Sequence, residues 1–116
     1  MIFVGYKRCS TSNKAEQWLK EKNIDYCFRP IKEENPTAKE LKVWHKKSGL
    51  PLKRFFNTSG MLYKELNLKE KLKTMSEEEQ INLLATNGML VKRPILISDS
   101  FVLVGFKENE WENKLL

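Results

Sequence analysis

Apolar positions along the chain fall into two periods. Ile2 to Tyr6 is a short apolar run closed by Lys7 and Arg8, the pattern of a buried strand. Ser10-Thr11-Ser12-Asn13 is dense in helix-capping side chains, and Ala15, Trp18 and Leu19 then recur at helical spacing. This predicts a helix to about Lys22, with Asn23 as its terminator. Ile24 to Ile31 reads as a second strand with Pro30 near its end, and Glu33 to Pro36 as a loop.

Thr37-Ala38-Lys39-Glu40 is a capping box opening a helix with Leu41, Trp44 and His45 on one side, ended by Ser48-Gly49. Pro51 can start a short helix through Phe55-Phe56. Asn57-Thr58-Ser59-Gly60 is a turn cluster, and Tyr63, Leu66 and Leu68 mark another helical piece. Ser76-Glu77-Glu78-Glu79 is a second capping box, whose helix carries Ile81, Leu84 and Ala85 and stops at Asn87-Gly88. Ile95-Leu96-Ile97 and Phe101-Val102-Leu103-Val104 flank Ser98-Asp99-Ser100 as a hairpin. Glu108 to Leu116 reads as a terminal helix packing Trp111 and Leu115. The order β-α-β, helices, β-β-α is that of an α/β thioredoxin-type sheet with helices inserted between its halves. The expected division is one domain over 1–116, with a core of about 1–34 and 88–116 and a helical insertion of about 35–87.

Composition narrows the class. With 116 residues, 41% hydrophobic and 31% charged, the chain suits one globular domain. No apolar run approaches the ~20 residues that span a bilayer, and a charge follows the first apolar run too early for a signal peptide. Two cysteines exclude a disulfide scaffold, so a reducing compartment, the cytoplasm, is expected. The net charge of +6 is uneven: residues 1–58 hold 13 basic and 6 acidic side chains, residues 59–116 hold 8 and 9. No basic stripe alternates with aromatics, so direct nucleic-acid binding is not expected.

The chemistry concentrates at Cys9. It lies between the first strand and the first helix, where free backbone amides and the positive end of the helix dipole favour a thiolate. Lys7 and Arg8 add nearby charge, and the amides of Ser10, Thr11 and Ser12 can hold an oxyanion. Cys9-Ser10-Thr11-Ser12 is a Cys-x-x-Ser motif. It can form a mixed disulfide but no disulfide within the motif; Ser12 either donates to the thiolate or caps the helix. Cys27, between Tyr26 and Phe28, is expected in the core rather than paired with Cys9. The single histidine, His45, is expected at the surface, and one histidine with two distant cysteines makes no metal site. Arg93-Pro94 precedes the hairpin; spacing alone leaves open whether this proline is cis with Arg93 turned toward the site.

Tyr6 through Ala15, Asn57-Thr58-Ser59-Gly60, Leu68 through Leu72, Gly88 through Ile95 and Val104-Gly105-Phe106 together resemble the arsenate reductase (ArsC)/Spx family. The nearest likeness is to its short ArsC-related members. The resemblance implies a thioredoxin/glutaredoxin-like mixed four-stranded sheet with an inserted helical subdomain, Pro94 as the cis-proline and Arg93 facing the cysteine. Reductases of this family use one cysteine and three arginines. Cys9 and Arg93 match; Asn57 and Gly105 stand where the other two arginines are expected, which leaves Lys53 and Arg54 as substitutes. The implied activity is thiol-dependent reduction of an oxyanion or disulfide with no bound cofactor, using external glutathione or glutaredoxin. The family's regulatory branch implies another role, binding RNA polymerase through the C-terminal domain of its alpha chain, without turnover. Its Cys-x-x-Cys oxidation switch is absent, because Ser12 replaces the second cysteine.

Overall fold

A computed structural model describes all 116 residues. The elements are β1 (Ile2–Gly5), α1 (Ser10–Glu21), β2 (Cys27–Pro30), α2 (Ala38–Ser48), a 3-10 turn (Leu52–Phe55), α3 (Met61–Glu65), α4 (Leu68–Lys71), α5 (Glu77–Leu84), a second 3-10 turn (Gly88–Leu90), β3 (Ile95–Ile97), β4 (Val102–Val104) and α6 (Glu108–Leu115). No helix is long and apolar enough to cross a membrane.

The sheet order is β2-β1-β3-β4, with β1 parallel to β2 and both other pairs antiparallel. Side-chain alternation assigns its two faces. Phe3 pairs with Leu96, and both turn toward Ala15, Trp18 and Leu19 of α1 and Trp111 of α6. Val4 pairs with Ile95, and both turn the other way, with Ile97, Val102 and Val104. There they meet Leu41 and Trp44 of α2, Phe55, Tyr63, Leu68 and the α5 pair Ile81 and Leu84. The helical stretch thus buries the second sheet face directly. A one-residue slip of β3 would exchange the two sets of side chains, so the register is strongly fixed.

Both capping boxes form. Thr37 Oγ1 accepts from the Glu40 amide at 3.1 Å, and Ser76 Oγ accepts from that of Glu79 at 3.1 Å, with the glutamates answering in return. Asn23 and Gly49 end their helices with positive φ, as their sequence positions predict. Four expectations need correction. The second strand begins at Cys27, not Ile24, and α5 ends at Leu84; Asn87 instead caps the second 3-10 turn, its Oδ1 accepting from the Met89 amide at 2.8 Å. Gly88 then presses so closely on the Ile31 carbonyl that any Cβ would collide with it. Cys27 is exposed, because β2 is an edge strand and Cys27 pairs with the exposed Ile2 at its outer end. His45 is half-buried: its ring meets Phe55 edge-on at 5.9 Å, and its Nε2 lies 3.9 Å from Glu77, because α2 packs against α5 and the first 3-10 turn.

Glu40 also receives Arg29 of β2 through both carboxylate oxygens, at 2.6 and 2.8 Å. The Arg29 guanidinium, aided by the Thr37 amide and opposed by burial, holds the Glu40 carboxyl down at about 2. A folded-state value below the ordinary 4.5 stabilises the protein above that pH, and the contribution is lost as pH falls from about 4.5 to about 2. Glu40→Gln is therefore expected to flatten the acid limb of the stability profile over that window. The check is denaturant unfolding at stepped pH; an unchanged limb would remove Arg29–Glu40 as its source.

Candidate functional site

The chain leaves β1 at Gly5, makes one turn and enters α1, so Cys9 becomes the N-cap residue with extended backbone (φ −101°, ψ 120°). Its own amide donates to the Tyr6 carbonyl at 2.9 Å, and its carbonyl receives the Asn13 amide at 3.0 Å. The sulfur is thus held where the first turn of α1 leaves its amides unpaired. Burial pushes the thiol up, yet the Ser12 amide, the Ser12 hydroxyl, the Thr11 amide and the Arg93 side chain favour the thiolate and together bring it below its ordinary value. Desolvation strengthens these hydrogen bonds as well as opposing the charge, and the donors outweigh it here.

Ser12 is fully buried. Its Oγ accepts from the Tyr6 amide at 3.3 Å, and its hydroxyl is among the groups that favour the Cys9 thiolate. Thr11 contributes its amide. Ser10 is exposed, and its amide is not among the groups acting on the sulfur. Lys7 does not turn to the sulfur as expected. Lys7 turns to Glu16, 2.8 Å from Oε1, and lies over the Phe28 ring at 4.0 Å. Glu16 is buried on the inner face of α1, and Tyr26 donates to its Oε2 at 2.6 Å. A buried carboxylate needs partners, and it captures the lysine. The Tyr26 phenol is pushed up to about 12 by burial and then by Glu16. The position of Glu16 between Ala15 and Trp18 is a sequence signal for this cluster, since it puts a carboxylate on the apolar face.

The cation at Cys9 is Arg93. The Arg93-Pro94 bond is cis. The guanidinium lies over the Tyr6 ring at 5.2 Å and Nη1 approaches the Met89 carbonyl at 3.5 Å, while Nε is buried without an acceptor. Tyr6 thus supports the site in three ways, through its ring, its amide and its carbonyl, which sequence reasoning missed; an aromatic at the end of the strand before the cysteine was the available signal.

Asn57 and Gly105 serve the scaffold. The Asn57 amide donates to the Leu90 carbonyl at 2.8 Å, and its Nδ2 approaches the same Met89 carbonyl as Arg93, at 3.4 Å. Gly105 has φ +75°, strained for any other residue, and its amide donates to the Pro94 carbonyl at 2.8 Å. A Cβ at Gly105 would stand 3.4 Å from Cε of Lys92. One arginine therefore reaches the cysteine where the reductase pattern has three.

The ArsC family model matches residues 4–114. The crystal structure of an ArsC family related protein from Bacteroides fragilis superimposes with a TM-score of 0.95 at 61% identity, covering 97% of this chain and 94% of that one. The uncharacterized protein YusI of Bacillus subtilis (strain 168) is 52% identical over 112 residues, 97% of this chain and 95% of its own. The global transcriptional regulator Spx of Staphylococcus epidermidis is 28% identical over 102 residues, 88% of this chain and 76% of its own. With a family match that runs from β1 to the last turn of α6, and relatives of 61% and 52% identity over nearly its whole length, this chain belongs to the ArsC family.

Proposed function

We propose that the protein is a cytoplasmic thiol-dependent oxidoreductase in which Cys9 is the single nucleophile. The observation that carries this reading is the place of the half-buried Cys9 as N-cap of α1, at the head of the helix where the first amides are free, with its thiol drawn below the ordinary value. Such donors stabilise a thiolate at rest and hold negative charge on a bound group during attack. In exchange with a disulfide, the Cys9 thiolate attacks one sulfur and the S–S bond breaks. The leaving thiolate departs with the bonding pair, and a Cys9 mixed disulfide remains. Ser12 has no thiol with which to close it, so an external thiol, glutathione or glutaredoxin, attacks and returns Cys9 to the thiolate. No bound cofactor enters this cycle. With arsenate the first bond would be arsenic to sulfur with loss of water. The unpaired Arg93 Nε is a buried donor that an incoming oxyanion would satisfy. The hydrogen bond from Gly105 to the Pro94 carbonyl ties down the turn that presents Arg93.

A second reading has a specific support: a relative that spans most of this chain is a transcriptional regulator. It makes the protein a partner of RNA polymerase, docking on the C-terminal domain of the alpha chain without turnover, and the presence of only one arginine at the cysteine suits it.

The test of the first reading is the pKa of Cys9, from thiolate absorbance against pH in Cys27→Ala protein. The expected midpoint lies below the free-cysteine reference of about 8.5. Arg93→Met is expected to raise it, by removing the one cation that acts on the sulfur. A midpoint at or above the reference in the Cys27→Ala protein would overturn the nucleophile assignment.

A further inference from the structure

Leading up to Arg93 runs a strip of backbone that the oxidoreductase cycle does not use. Residues 55–57 lie antiparallel to 90–92: the Asn57 amide donates to the Leu90 carbonyl at 2.8 Å, Phe56 pairs with Val91, and the Lys92 amide donates to the Phe55 carbonyl at 2.8 Å. This pairing gathers Lys53, Arg54, Thr58 and Lys92 around an open groove of about 350 Å³, completed by Pro51 and Phe56. Three cations line it and no carboxylate does. None of the three is held in an ion pair, as is true of most cations of this chain. Like charges gathered without counter-charges repel one another, and the arrangement is relieved when an anion binds.

The groove shares a backbone segment with the thiol site. Lys92 and Arg93 are consecutive, so their Cα atoms stand about 3.8 Å apart. Arg93 reaches toward Cys9, while Lys92 runs past Gly105 into the groove. The space that a side chain at position 105 would enter is bounded instead by the aliphatic stem of a lysine. One dipeptide therefore carries a cation for each place, Arg93 for the sulfur and Lys92 for the groove.

We propose that this groove is a second anion subsite, and that the substrate of Cys9 is an organic disulfide bearing carboxylate or phosphate groups, anchored at Lys53, Arg54 and Lys92 while its sulfur meets Cys9. The inference rests on the Cys9 reading above and names its substrate class. A small tetrahedral oxyanion would need only the place at Cys9 and Arg93; an extended anion uses both places. In the exchange step the Cys9–sulfur bond forms as the substrate S–S bond breaks. The leaving half carries off the electron pair, and the thiol proton has already gone to solvent.

The test is the second-order rate of mixed-disulfide formation in Cys27→Ala protein with three probes: oxidised glutathione, which is anionic, hydroxyethyl disulfide, which is neutral, and cystamine, which is cationic. Comparing each probe with itself across variants cancels differences in leaving group. Lys53→Met/Arg54→Met/Lys92→Met is expected to slow the glutathione reaction about tenfold and remove most of its salt dependence, to change the neutral reaction less than about twofold, and to speed cystamine. Lys92→Met alone is expected to show the same order of effects at smaller size, and Lys69→Met, at an exposed position of α4, none. Equal slowing of the anionic and neutral probes would overturn the subsite. Failure of the Cys27→Ala protein to react with the neutral probe faster than free cysteine would instead overturn the Cys9 reading, and the subsite with it.

Discussion

Cys9→Ser is expected to lower thiol–disulfide exchange and any reductase turnover by at least about 10³-fold, since loss of an enzyme's only nucleophile leaves binding groups with nothing to deliver. The substitution isolates the chemistry from the fold. Cys9 is an N-cap residue without a side-chain cap hydrogen bond, and serine is among the best N-cap residues. The variant should therefore melt no lower than the parent while losing the reaction. The serine hydroxyl stays protonated at neutral pH, and the Thr11 and Ser12 amides do not change that enough to matter. Residual exchange in Cys9→Ser protein within tenfold of the parent would place the reaction at the exposed Cys27. The same variant separates the two functional readings. A regulator that works by contact alone would still bind the C-terminal domain of the RNA polymerase alpha chain with serine at position 9. A complex at micromolar concentration unaffected by the change, beside an inert thiol in the parent, would favour the second reading.

Trp111→Ala is expected to cost about 3–5 kcal/mol, the range for emptying a buried aromatic site. Trp111 is 1% exposed and packs edge-on against Trp18 at 6.2 Å, Phe106 at 5.0 Å and Phe3 at 6.4 Å. Its ring joins α1, α6 and the sheet. Its Nε1 also donates to the Gly105 carbonyl at 3.1 Å, and the Gly105 amide holds the Pro94 carbonyl. Removing the indole thus loosens the turn that presents Arg93 as well as opening a cavity. The expected result is a melting temperature lower by about 10 °C or more, on the order of 4 °C per kcal/mol for a domain of this size, together with a rise in the Cys9 pKa. Trp111→Phe keeps most of the packing but leaves the Gly105 carbonyl without its donor, and should fall between the two. Thermal unfolding of the three proteins checks the order; a Trp111→Ala midpoint indistinguishable from that of the parent would contradict it.

Much of this is legible in the chain. The helix starts at Thr37 and Ser76 are marked by residues that act within three positions of themselves, so no tertiary context is needed to read them. Cys9 announces itself for the same reason: a cysteine between an apolar run and a capping cluster stands at the head of a helix. The differences arise where distant elements decide. Cys27 reads as core because its neighbours are aromatic, but strand order puts it on an edge. His45 reads as solvated among lysines, but its neighbours across space are Phe55 and Glu77.

The same division holds at the site. The nucleophile, the amides behind it and the lack of a second thiol in the motif can all be read from neighbouring residues, because they follow from the local geometry of one strand-to-helix turn. Which cation serves the sulfur cannot be read that way. Lys7 and Arg8 are close along the chain, yet burial of Glu16 draws Lys7 away, and Arg93 arrives from the far side of the fold on the β1–β3 pairing. The cost of an unpaired buried carboxylate, and a register set by Phe3 and Val4 facing opposite layers, are long-range constraints. Neither has a signature within a window of neighbouring residues.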